Sequence, residues 1–423
     1  MAEAKRIVVL GGGFGGLYAA LHLKNALKPR EAEIHLVSRT DYFLFTPLLH
    51  EVAAGLLEPR DVARPLAALL GRRVLFHHTG ITRIDLEGRR VETEGGDVPY
   101  DTLVIALGSE TNYYGLPNVE GQSLPLKTLD DALNLRNHFL DLFRRADREI
   151  DPETRKRLLT VVLAGAGCTG VELVAELHYL VTHGLDKAYP NIDADREMRL
   201  IVVEATDRLL CPKDMVLAER AQKIMRERRI ETIFRTAVAG REDHAVLVRD
   251  MDTKHERKIP AETLIWTAGI QPNRLVRELP LEKDRRGSLI TEQTLQVKDH
   301  PEVFALGDCA VVPHRADAIE FAPWTAQAAL QQARVAAKNI VAGMRGKPMI
   351  PFRYRNMGEV VTLGGTEGVS EIFGLRLRGV PGWLAARMAH LARLPDWSDR
   401  VRVAAEWGLD FLGPRDTEVR GMK

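Results

Sequence analysis

Two stretches of the chain repeat the same order of apolar and polar positions. Each opens with a short apolar run, Ile7–Leu10 in the first stretch and Leu158–Leu163 in the second. A helical pattern follows, with Leu17 and Leu21 on one face in the first stretch and the run Val171–Leu180 in the second. Short apolar runs bounded by glycine are typical of buried strands in parallel sheets. Each stretch therefore predicts a strand, a tight turn and a helix.

Glycines occupy both predicted turns at the spacing G-x-G-x-x-G, as Gly11, Gly13 and Gly16, and as Gly165, Gly167 and Gly170. Glycine permits the tight turn and lets a pyrophosphate approach the backbone, while the helix N-terminus presents free N–H groups to the anion. A single copy is weak evidence, because glycine-rich turns also occur as plain structural turns. Two copies in the same context are much more specific and predict two bound nucleotides.

The next strand of each copy ends in a different residue. The strand in "MRLIVVEATDRLL" ends in Glu204, which is placed to accept hydrogen bonds from a ribose 2′-hydroxyl and to repel a 2′-phosphate. The second site should therefore prefer NAD(H) to NADP(H). In "EAEIHLVSRT" the strand Ile34–Val37 ends in Ser38, which can bond a ribose only neutrally and more weakly. Arg39 either contacts a phosphate or adenine, or is a solvated turn residue.

Further strand signals organise the rest of the chain. Between the two copies, strands alternate with glycine turns and predict a small antiparallel insert that returns to a buried strand, Thr102–Leu107. His77 and His78 are not expected to bind a metal, because adjacent side chains of a strand point to opposite faces. The later strand "FALGDCA" leads into Gly307 and Asp308, and the next helix supplies an N-terminus that offsets the charge of the carboxylate.

Composition narrows the function classes. The chain has 59 basic and 58 acidic side chains, a formal net charge of +1, which gives no indication of a general nucleic-acid binder. Cys168, Cys211 and Cys309 form no C-x-x-C pair, so neither a dithiol redox centre nor a thiolate zinc site is expected. This cysteine usage suits a reducing cytoplasm. We expect no signal peptide and, without an apolar stretch of ~18 residues, no spanning helix.

The C-terminal region is basic and amphipathic. Residues 376–402 contain six arginines against Asp396 and Asp399, a local balance of +4. Two apolar stripes at helical spacing accompany this charge: Leu384, Met388 and Leu391, then Val403, Trp407 and Phe411. The region also holds three of the chain's five tryptophans, Trp383, Trp397 and Trp407. A basic amphipathic helix with tryptophan can lie in the lipid headgroup layer. The alternative is a helix docked on the protein's own core or on a second subunit.

Several segments together resemble one enzyme family. The two glycine motifs and the strand ends "WTAGIQPN" and "FALGDCA" are the layout of flavoproteins that bind two dinucleotides. More narrowly, "FLFTPLLHEVAAG", "GCTGVELVAEL" and "APWTAQAALQQA" resemble the type II NADH dehydrogenases, which are single-chain NADH:quinone oxidoreductases. The last segment contains the A-Q-x-A-x-Q pattern of that family as Ala326, Gln327, Ala329 and Gln331. The resemblance is strong over residues 7–335 and looser beyond. Ser38 replaces the usual acid, and Gly365 stands where a basic residue is common.

The resemblance implies an α/β fold with two Rossmann-like dinucleotide-binding domains, the second inserted in the first, and a C-terminal amphipathic membrane-binding region. The expected bounds are 1–112 and 276–340 for the FAD-binding domain, 113–275 for the NADH-binding domain and 341–423 for the membrane-association region. Non-covalent FAD, NADH and a membrane quinone are implied, with no metal and no nucleic acid. We expect a peripheral protein on the cytoplasmic face of the cell membrane, and a homodimer is an open alternative.

The resemblance also assigns individual residues. Glu172 would lie near the nicotinamide and flavin and relay protons, or would be an ordinary first-turn glutamate favoured by the helix dipole. Gln327 and Gln331, four apart on one helix face, would bond flavin or quinone carbonyls, or would be solvent-facing helix formers. Pro47 and the aromatic run Tyr42–Phe45 would pack near the flavin, or would fill the core. The remaining cofactor-binding assignments are Gly11, Gly13, Phe14, Gly15, Gly16, Ser38, Arg39, Ala106, Gly108, Gly307, Asp308 and Ala326 for FAD, and Gly165, Gly167, Thr169, Gly170, Glu204, Ala268 and Gly269 for NADH.

Other functions stay open. A sulfide:quinone oxidoreductase of similar fold needs paired cysteines at the flavin, and neither Cys168 nor Cys309 matches that pattern. A soluble ferredoxin-type or disulfide reductase is less favoured, because the chain lacks C-x-x-C and such an enzyme has no use for the amphipathic tail. A nucleotide-sensing flavoprotein without quinone turnover is the alternative from another class. NADH would then bleach the flavin stoichiometrically without quinone-dependent turnover.

Overall fold

The computed structural model describes residues 4–210, 215–314 and 320–410. The strands, in chain order, are β1 (Lys5–Leu10), β2 (Ala32–Ser38), β3 (Tyr42–Leu44), β4 (Ala63–Pro65), β5 (Val74–His78), β6 (Ile81–Asp85), β7 (Arg90–Thr93), β8 (Val98–Pro99), β9 (Thr102–Ile105), β10 (Ser109–Thr111), β11 (Leu124–Pro125), β12 (Thr160–Ala164), β13 (Arg199–Val203), β14 (Glu231–Ile233), β15 (Thr236–Glu242), β16 (Ala245–Asp250), β17 (Glu256–Pro260), β18 (Thr263–Trp266), β19 (Ile270–Pro272), β20 (Leu289–Ile290), β21 (Gln296–Val297), β22 (His300–Ala305), β23 (Ala310–Val311), β24 (Glu359–Thr362), β25 (Gly368–Ile372) and β26 (Leu375–Arg378).

The α-helices are α1 (Phe14–Ala26), α2 (Leu49–Ala53), α3 (Pro59–Val62), α4 (Leu66–Leu70), α5 (Pro117–Glu120), α6 (Leu129–Ala146), α7 (Pro152–Leu158), α8 (Cys168–Leu180), α9 (Asp186–Ala188), α10 (Ala194–Glu197), α11 (Met215–Glu227), α12 (Arg274–Glu278), α13 (Ala326–Met344), α14 (Val380–Arg393) and α15 (Trp397–Leu409). Short 3₁₀ turns cover Thr46–Leu48, Gly71–Arg73 and Gly307–Cys309, and a π-helical turn covers Val181–Leu185.

The chain divides into two compact units. The first comprises residues 1–44, 63–110 and 270–355, and the second comprises residues 45–62, 111–269 and 356–423. The sequence pattern predicted an inserted domain over 113–275, and the middle segment of the second unit covers 111–269. It did not predict that residues 45–62 pack with that unit.

The first unit contains a six-stranded sheet in the order β21-β22-β9-β1-β2-β5. Its strands pair in parallel, except that β21 runs antiparallel to β22. The run Ile7–Leu10 of β1 is fully buried, as expected for a central strand with both faces covered. Helix α1 packs against α13, whose buried face consists largely of alanines that permit close approach. The predicted antiparallel insert is present as β6-β7-β8.

The second unit contains a parallel five-stranded sheet in the order β11-β18-β12-β13-β14. An antiparallel sheet, β15-β16-β17, packs against it through a core that includes Val162, Ile201, Val246 and Leu264. A third sheet, β24-β25-β26, is covered by α14. Helix α2 packs against α6 and α8, and α15 packs against α14 and α3. The C-terminal helices therefore belong to the packed interior of this unit as well as to its surface.

Two element boundaries differ from the sequence prediction. Leu158 ends α7, so the second glycine turn follows a strand that begins at Thr160. Helix α8 begins at Cys168, before the apolar run that predicted it. Glu172 consequently lies on the second turn of the helix, and the first-turn dipole interpretation of this residue is wrong.

The C-terminal stripes also differ from the prediction. Val403 and Trp407 are buried, so this stripe faces the protein interior, and Phe411 lies outside the described residues. The exposed stripe of α15 is instead Trp397, Val401 and Leu409. On α14 the exposed stripe is Val380, Leu384 and Met388, whereas Leu391 is half-buried. Among the described residues, none of the helices has the length and apolarity needed to cross a membrane.

Candidate functional site

The first glycine turn has the shape of a phosphate cradle. Gly11 has φ +101°, and a Cβ atom there would collide with the carbonyl oxygen of Ala106. A Cβ on Gly16 would collide with the carbonyl oxygen of Gly11, whereas a Cβ on Gly13 would meet nothing within 4 Å. The outer glycines therefore hold the turn tight against β9, and the middle glycine borders open space.

The second glycine turn repeats this geometry in the other unit. Gly165 has φ +95°, and a Cβ there would lie 2.6 Å from the Cα of Ala268. A Cβ on Gly170 would collide with the carbonyl oxygen of Gly165, and one on Gly167 would again meet nothing within 4 Å. The chain thus builds the same open cradle twice.

The helices that leave the two cradles begin without side-chain caps. Gly13 and Gly167 are the N-cap residues of α1 and α8, and neither position has a capping side chain. Helices α6 and α13 are capped by the hydroxyl groups of Thr128 and Thr325. A bound phosphate would satisfy the N–H groups at the uncapped ends and gain from the helix dipole. Both cradles therefore fit a dinucleotide pyrophosphate.

Other assigned residues lie around these turns. Phe14 begins α1 and packs its ring edge-on against Phe43, with 5.0 Å between centroids. A Cβ on Gly15 would collide with the side chain of Leu306. Thr169 lies in the first turn of α8, and Ala326 is the first residue of α13.

The residues at the two positions predicted to bind ribose have different surroundings. The carboxylate of Glu204 accepts hydrogen bonds from the backbone N–H of Ala166 at 2.7 Å and from that of Thr206 at 2.8 Å. It is thereby fixed at the edge of the second cradle. Ser38 is buried, and its Oγ lies 3.3 Å from the backbone nitrogen of Thr40.

The space beside Ser38 is restricted on the cradle side. A Cβ added to Gly12 would lie 2.9 Å from Ser38 Oγ, so the serine packs closely below the first turn. Arg39 is exposed, and its carbonyl oxygen lies 3.0 Å from Nε2 of His78. His77 points elsewhere and stacks on His35, with 5.1 Å between ring centroids. The described residues contain no cluster of three or more metal-ligating side chains.

The strand ends β9 and β22 bring the remaining first-unit residues together. Gly108 has φ +66°, and a Cβ atom added there would meet nothing within 4 Å. Asp308 accepts a 2.7 Å hydrogen bond from the hydroxyl of Ser109. The backbone N–H of Gly307 donates to the buried side chain of Gln332 at 2.8 Å. Sequence reasoning missed Gln332, although it lies in the same glutamine-rich helix segment as the two glutamines that were selected.

Those two glutamines on α13 have different surroundings. Gln327 Oε1 accepts a 3.0 Å hydrogen bond from the hydroxyl of Tyr354. Gln331 donates through Nε2 to the carbonyl of Arg355 at 2.9 Å and accepts from the backbone N–H of Arg355 at 3.0 Å. Both ends of the Gln331 amide are therefore engaged by the backbone. The expected direct role for Gln331 in catalysis stays a prediction, and in this structure the amide holds the segment at Arg355.

Glu172 is a buried carboxyl group in the second unit. The backbone N–H of Thr362 donates to its Oε1 at 3.1 Å. Burial, together with the charges of Glu51 and Glu176, raises the pKa of Glu172 to about 8, against the opposing effects of Thr362 and Arg387. The group therefore carries a proton at neutral pH, in the range suited to proton transfer.

A network of buried polar side chains surrounds Glu172, and sequence reasoning missed it. Glu51 on α2 is fully buried and pairs with the guanidinium of Arg387 from α14. The indole Nε1 of Trp407 from α15 donates to the other carboxylate oxygen of Glu51 at 2.7 Å. His50 lies between Glu51 and Glu172. In the sequence, these buried polar groups are indicated only by the stretch "LLHEVAAG", in which a histidine and a glutamate interrupt an apolar run.

The departure at Gly365 has a steric explanation. This residue has φ +61°, and a Cβ there would lie 2.8 Å from Cε2 of Tyr179. A basic side chain at this position would therefore meet both an unfavourable backbone conformation and the tyrosine ring. The positive charge that acts on the pKa of Glu172 comes from Arg387.

Two further assigned regions contain the aromatic residues. Phe43 and Phe45 are fully buried, which agrees with the core-filling interpretation, while Pro47 is half-buried in its 3₁₀ turn.

Tyr114 covers the segment Ala268–Gly269, which follows β18. The hydroxyl of Tyr114 donates a 3.2 Å hydrogen bond to the carbonyl oxygen of Ala268. Tyr114 has φ +52° and is 61% exposed. Its position beside the second cradle was not apparent from the sequence.

Comparisons with known proteins agree with this geometry. Residues 5–335 match the family model described as pyridine nucleotide-disulphide oxidoreductase. The chain is 33% identical over 423 residues to the type II NADH:quinone oxidoreductase Ndh of Mycobacterium tuberculosis, covering 97% of this chain and 89% of the relative. It is 32% identical to the demethylphylloquinone reductase NdbB of Synechocystis, covering 98% of each chain.

Solved structures are similar over nearly the whole chain. The structure of NDH2 from Plasmodium falciparum in complex with NADH has a TM-score of 0.89 at 19% identity, covering 98% of this chain and 99% of that one. The sulfide:quinone oxidoreductase of Aquifex aeolicus has a TM-score of 0.77 at 21% identity, covering 97% and 95%. At these identities, the structural likeness shows a shared fold and does not discriminate between the two activities.

Proposed function

Because the chain belongs to the pyridine nucleotide-disulphide oxidoreductase family, and within it to the type II NADH:quinone oxidoreductases, we propose that it oxidises NADH and reduces a membrane quinone, with non-covalent FAD as its cofactor. The observation that carries the proposal is the pair of open, uncapped glycine cradles, one in each unit. FAD supplies an acceptor for the hydride of NADH and a donor of two electrons to the quinone.

The first unit supplies the FAD-binding residues. The uncapped N-terminus of α1 would hold the pyrophosphate, and Ser38 would bond the adenosine ribose through a neutral hydroxyl. Asp308, fixed by Ser109, lies at the end of β22, where a carboxylate can accept hydrogen bonds from ribityl hydroxyls. Gln327, oriented by Tyr354, would bond a flavin or quinone carbonyl. Gln332 fixes the backbone of the Gly307 turn.

The second unit supplies the NADH-binding residues. The N-terminus of α8 would hold the pyrophosphate of NADH, and Glu204 would accept hydrogen bonds from the 2′-hydroxyl. A 2′-phosphate would place negative charge against that carboxylate. NADH is therefore the preferred donor. The exposed Tyr114 would border the nicotinamide, and the half-buried Pro47 would pack near the flavin.

Glu172 would supply a proton during quinone reduction. NADH contributes two electrons and one proton as a hydride, whereas conversion of a quinone to a quinol needs two of each. One proton per turnover must therefore come from the protein and ultimately from water. Glu172 is protonated at neutral pH because burial raises its pKa to about 8.

The C-terminal helices would bring the enzyme to its lipid-soluble substrate. The exposed stripes of α14 and α15 present Leu384, Met388, Trp397 and Val401 beside exposed arginines of β26. Apolar side chains can enter the headgroup layer while arginines attract anionic lipid. This arrangement supports peripheral attachment to the cytoplasmic face of the cell membrane, with the stripe of α15 shifted from the one that the sequence predicted.

The principal rival is a sulfide:quinone oxidoreductase. Such an enzyme needs accessible paired thiols, but Cys309 is fully buried, and burial raises the pKa of its thiol to about 11. Cys168 begins α8 in the other unit, and Cys211 lies outside the described residues. Sulfide oxidation uses no nicotinamide cofactor, so it does not require a ribose-binding carboxylate such as Glu204 at the second cradle. The chemistry of these residues favours NADH.

Steady-state turnover with a water-soluble quinone tests the proposal. NADH, NADPH and sulfide are supplied separately as donors to the purified protein loaded with FAD. NADH should support turnover, NADPH should do so far more slowly, and sulfide should not. Turnover with sulfide alone would establish the rival function. Flavin reduction by NADH without quinone turnover would indicate a nucleotide-sensing protein.

A further inference from the structure

His50 and Glu172 form a buried imidazole–carboxyl pair within the second unit. His50 is 2% exposed, and its Nδ1 lies 4.0 Å from Oε2 of Glu172. The other ring nitrogen, Nε2, lies 3.2 Å from the hydroxyl oxygen of Thr362. Thr362 also donates its backbone N–H to Oε1 of Glu172. One residue of β24 therefore contacts both members of the pair, and this aligns Nδ1 with the free carboxyl oxygen.

Charged groups on the neighbouring helices fix the orientation of the pair. The carboxylate of Glu51 lies 3.8 Å from Nε2 of His50 and is held in turn by Arg387 and Trp407. His390 on α14 faces the same region and stays neutral, because burial, followed by the charges of His50, Arg387 and Arg393, lowers its pKa to about 3. Glu176 faces Glu172 from the next turn of α8. On α6, which also packs against α2, the buried Arg136 lies beside Glu58.

We infer that His50 is the proton-exchange partner of Glu172, and that Glu51, Arg387 and Trp407 act as positioning residues for it. The inference rests on the proposed quinone reductase function and names the route by which the proton of Glu172 is replaced.

The proton transfer is balanced as follows. Glu172 releases its carboxyl proton towards the quinone and becomes a carboxylate. The N–H bond at Nδ1 of His50 breaks, and its proton forms a new O–H bond at Oε2 of Glu172. His50 takes up one proton at Nε2, the nitrogen that faces the Thr362 hydroxyl. This proton comes from solvent, where an O–H bond of a hydronium ion breaks. The ring stays neutral, and exchange of its protons with solvent returns it to the Nδ1–H form. The electrons come from NADH throughout. A small rotation of either side chain closes the 4.0 Å separation to hydrogen-bond distance.

The exchange rate of the Glu172 proton can be measured without turnover. The infrared band of a protonated carboxyl group shifts when its proton is replaced by deuterium, and the Glu172→Gln variant identifies which band belongs to Glu172. On rapid mixing with D₂O near pH 6, the His50→Gln variant should exchange this proton about tenfold or more slowly than the parent. The His138→Gln variant is the matched control, because His138 is also bonded to a threonine hydroxyl, that of Thr263 at 2.8 Å. It should exchange like the parent.

Separate half-reactions give the second readout. His50→Gln should leave flavin reduction by NADH within about twofold of the parent, and should slow reoxidation by a water-soluble quinone about tenfold or more. A solvent deuterium isotope effect on reoxidation should increase. Combining His50→Gln with Glu172→Gln should give no further loss, since the two residues act in series. Multiplicative losses in the double variant would overturn the inference.

A gentler variant covers the case in which His50→Gln does not fold. Thr362→Val keeps the side-chain shape and the backbone N–H to Glu172, and removes the hydroxyl that faces His50. It should slow both the proton exchange and the reoxidation several-fold. Parent-like exchange in Thr362→Val, or in a folded His50→Gln, would overturn the role of His50. If the parent itself fails to couple NADH oxidation to quinone reduction, the proposed function fails instead.

Discussion

Replacing Arg387 by methionine should lower the free energy of unfolding by about 3–5 kcal/mol, the usual cost of leaving one member of a buried ion pair alone. Glu51 is fully buried, and Arg387 is only 4% exposed. The guanidinium pairs with the carboxylate and also stacks over the Trp407 ring, 4.1 Å from its centroid. Methionine retains much of the stem packing, so the loss is chiefly electrostatic. The remaining donor to Glu51, the Trp407 indole, cannot neutralise the charge.

Urea unfolding followed by tryptophan fluorescence measures this cost. Arg378→Met is the matched control, because Arg378 lies exposed on β26, and its replacement should change the unfolding free energy by no more than about 0.5 kcal/mol. The double variant Glu51→Gln with Arg387→Met should recover much of the loss, because no uncompensated charge remains buried. Parent-like stability of Arg387→Met, or a double variant no more stable than the single one, would refute this reasoning.

The contacts of Glu51 with Arg387 and Trp407 also determine the effect of truncating the C-terminal region. A chain that ends near Gly379 loses both Arg387 and Trp407, and so leaves Glu51 buried without its cation and its indole donor. Such a truncation should therefore destabilise the second unit as well as remove the exposed stripes, so point substitutions on those stripes are the better test of membrane attachment.

Three further outcomes follow from the same geometry. In Glu204→Gln, the ratio of the flavin reduction rate with NADH to the rate with NADPH should fall about tenfold, because the repulsion of a 2′-phosphate is removed. Stopped-flow absorbance measures both rates. The folded pKa of Glu172 lies above the unfolded value, so its contribution to stability is complete below about pH 4.5 and is lost as pH rises through about 8. Glu172→Gln should therefore show a smaller fall in unfolding free energy between pH 5 and 8. The Leu384→Ser and Trp397→Ser variants should each weaken binding to anionic liposomes about tenfold, whereas Ile150→Ser, an exposed apolar control, should bind like the parent.

Local patterns predicted the cradles well. The strand–glycine–helix units at Gly11 and Gly165, and the carboxylate at Glu204, follow from apolar runs and turn residues that lie close together in the chain. The sequence therefore contains the whole signal for these features. The positive φ of both first glycines and the open space before both middle glycines agree with that prediction.

Features that depend on distant contacts were not predictable in the same way. Glu51 and Arg387 are 336 residues apart, and no local pattern links them. Helical spacing showed that α15 has two faces, but only packing against the second unit reveals that Val403 is buried and Val401 exposed. Likewise, the sequence placed Gln331 beside Gln327 on one helix face, but it did not show that the backbone of residue 355 occupies its amide.

An anaerobic single-turnover experiment tests whether this protein passes electrons from NADH through the flavin to a quinone. The FAD-loaded protein is mixed with one equivalent of NADH and then with a water-soluble quinone, while flavin absorbance, NAD⁺ and quinol are measured. We expect that NADH bleaches the flavin absorbance, that the quinone restores it, and that one NAD⁺ and one quinol form per flavin. A bleached flavin that the quinone does not restore, or a flavin that NADH does not bleach, would contradict it.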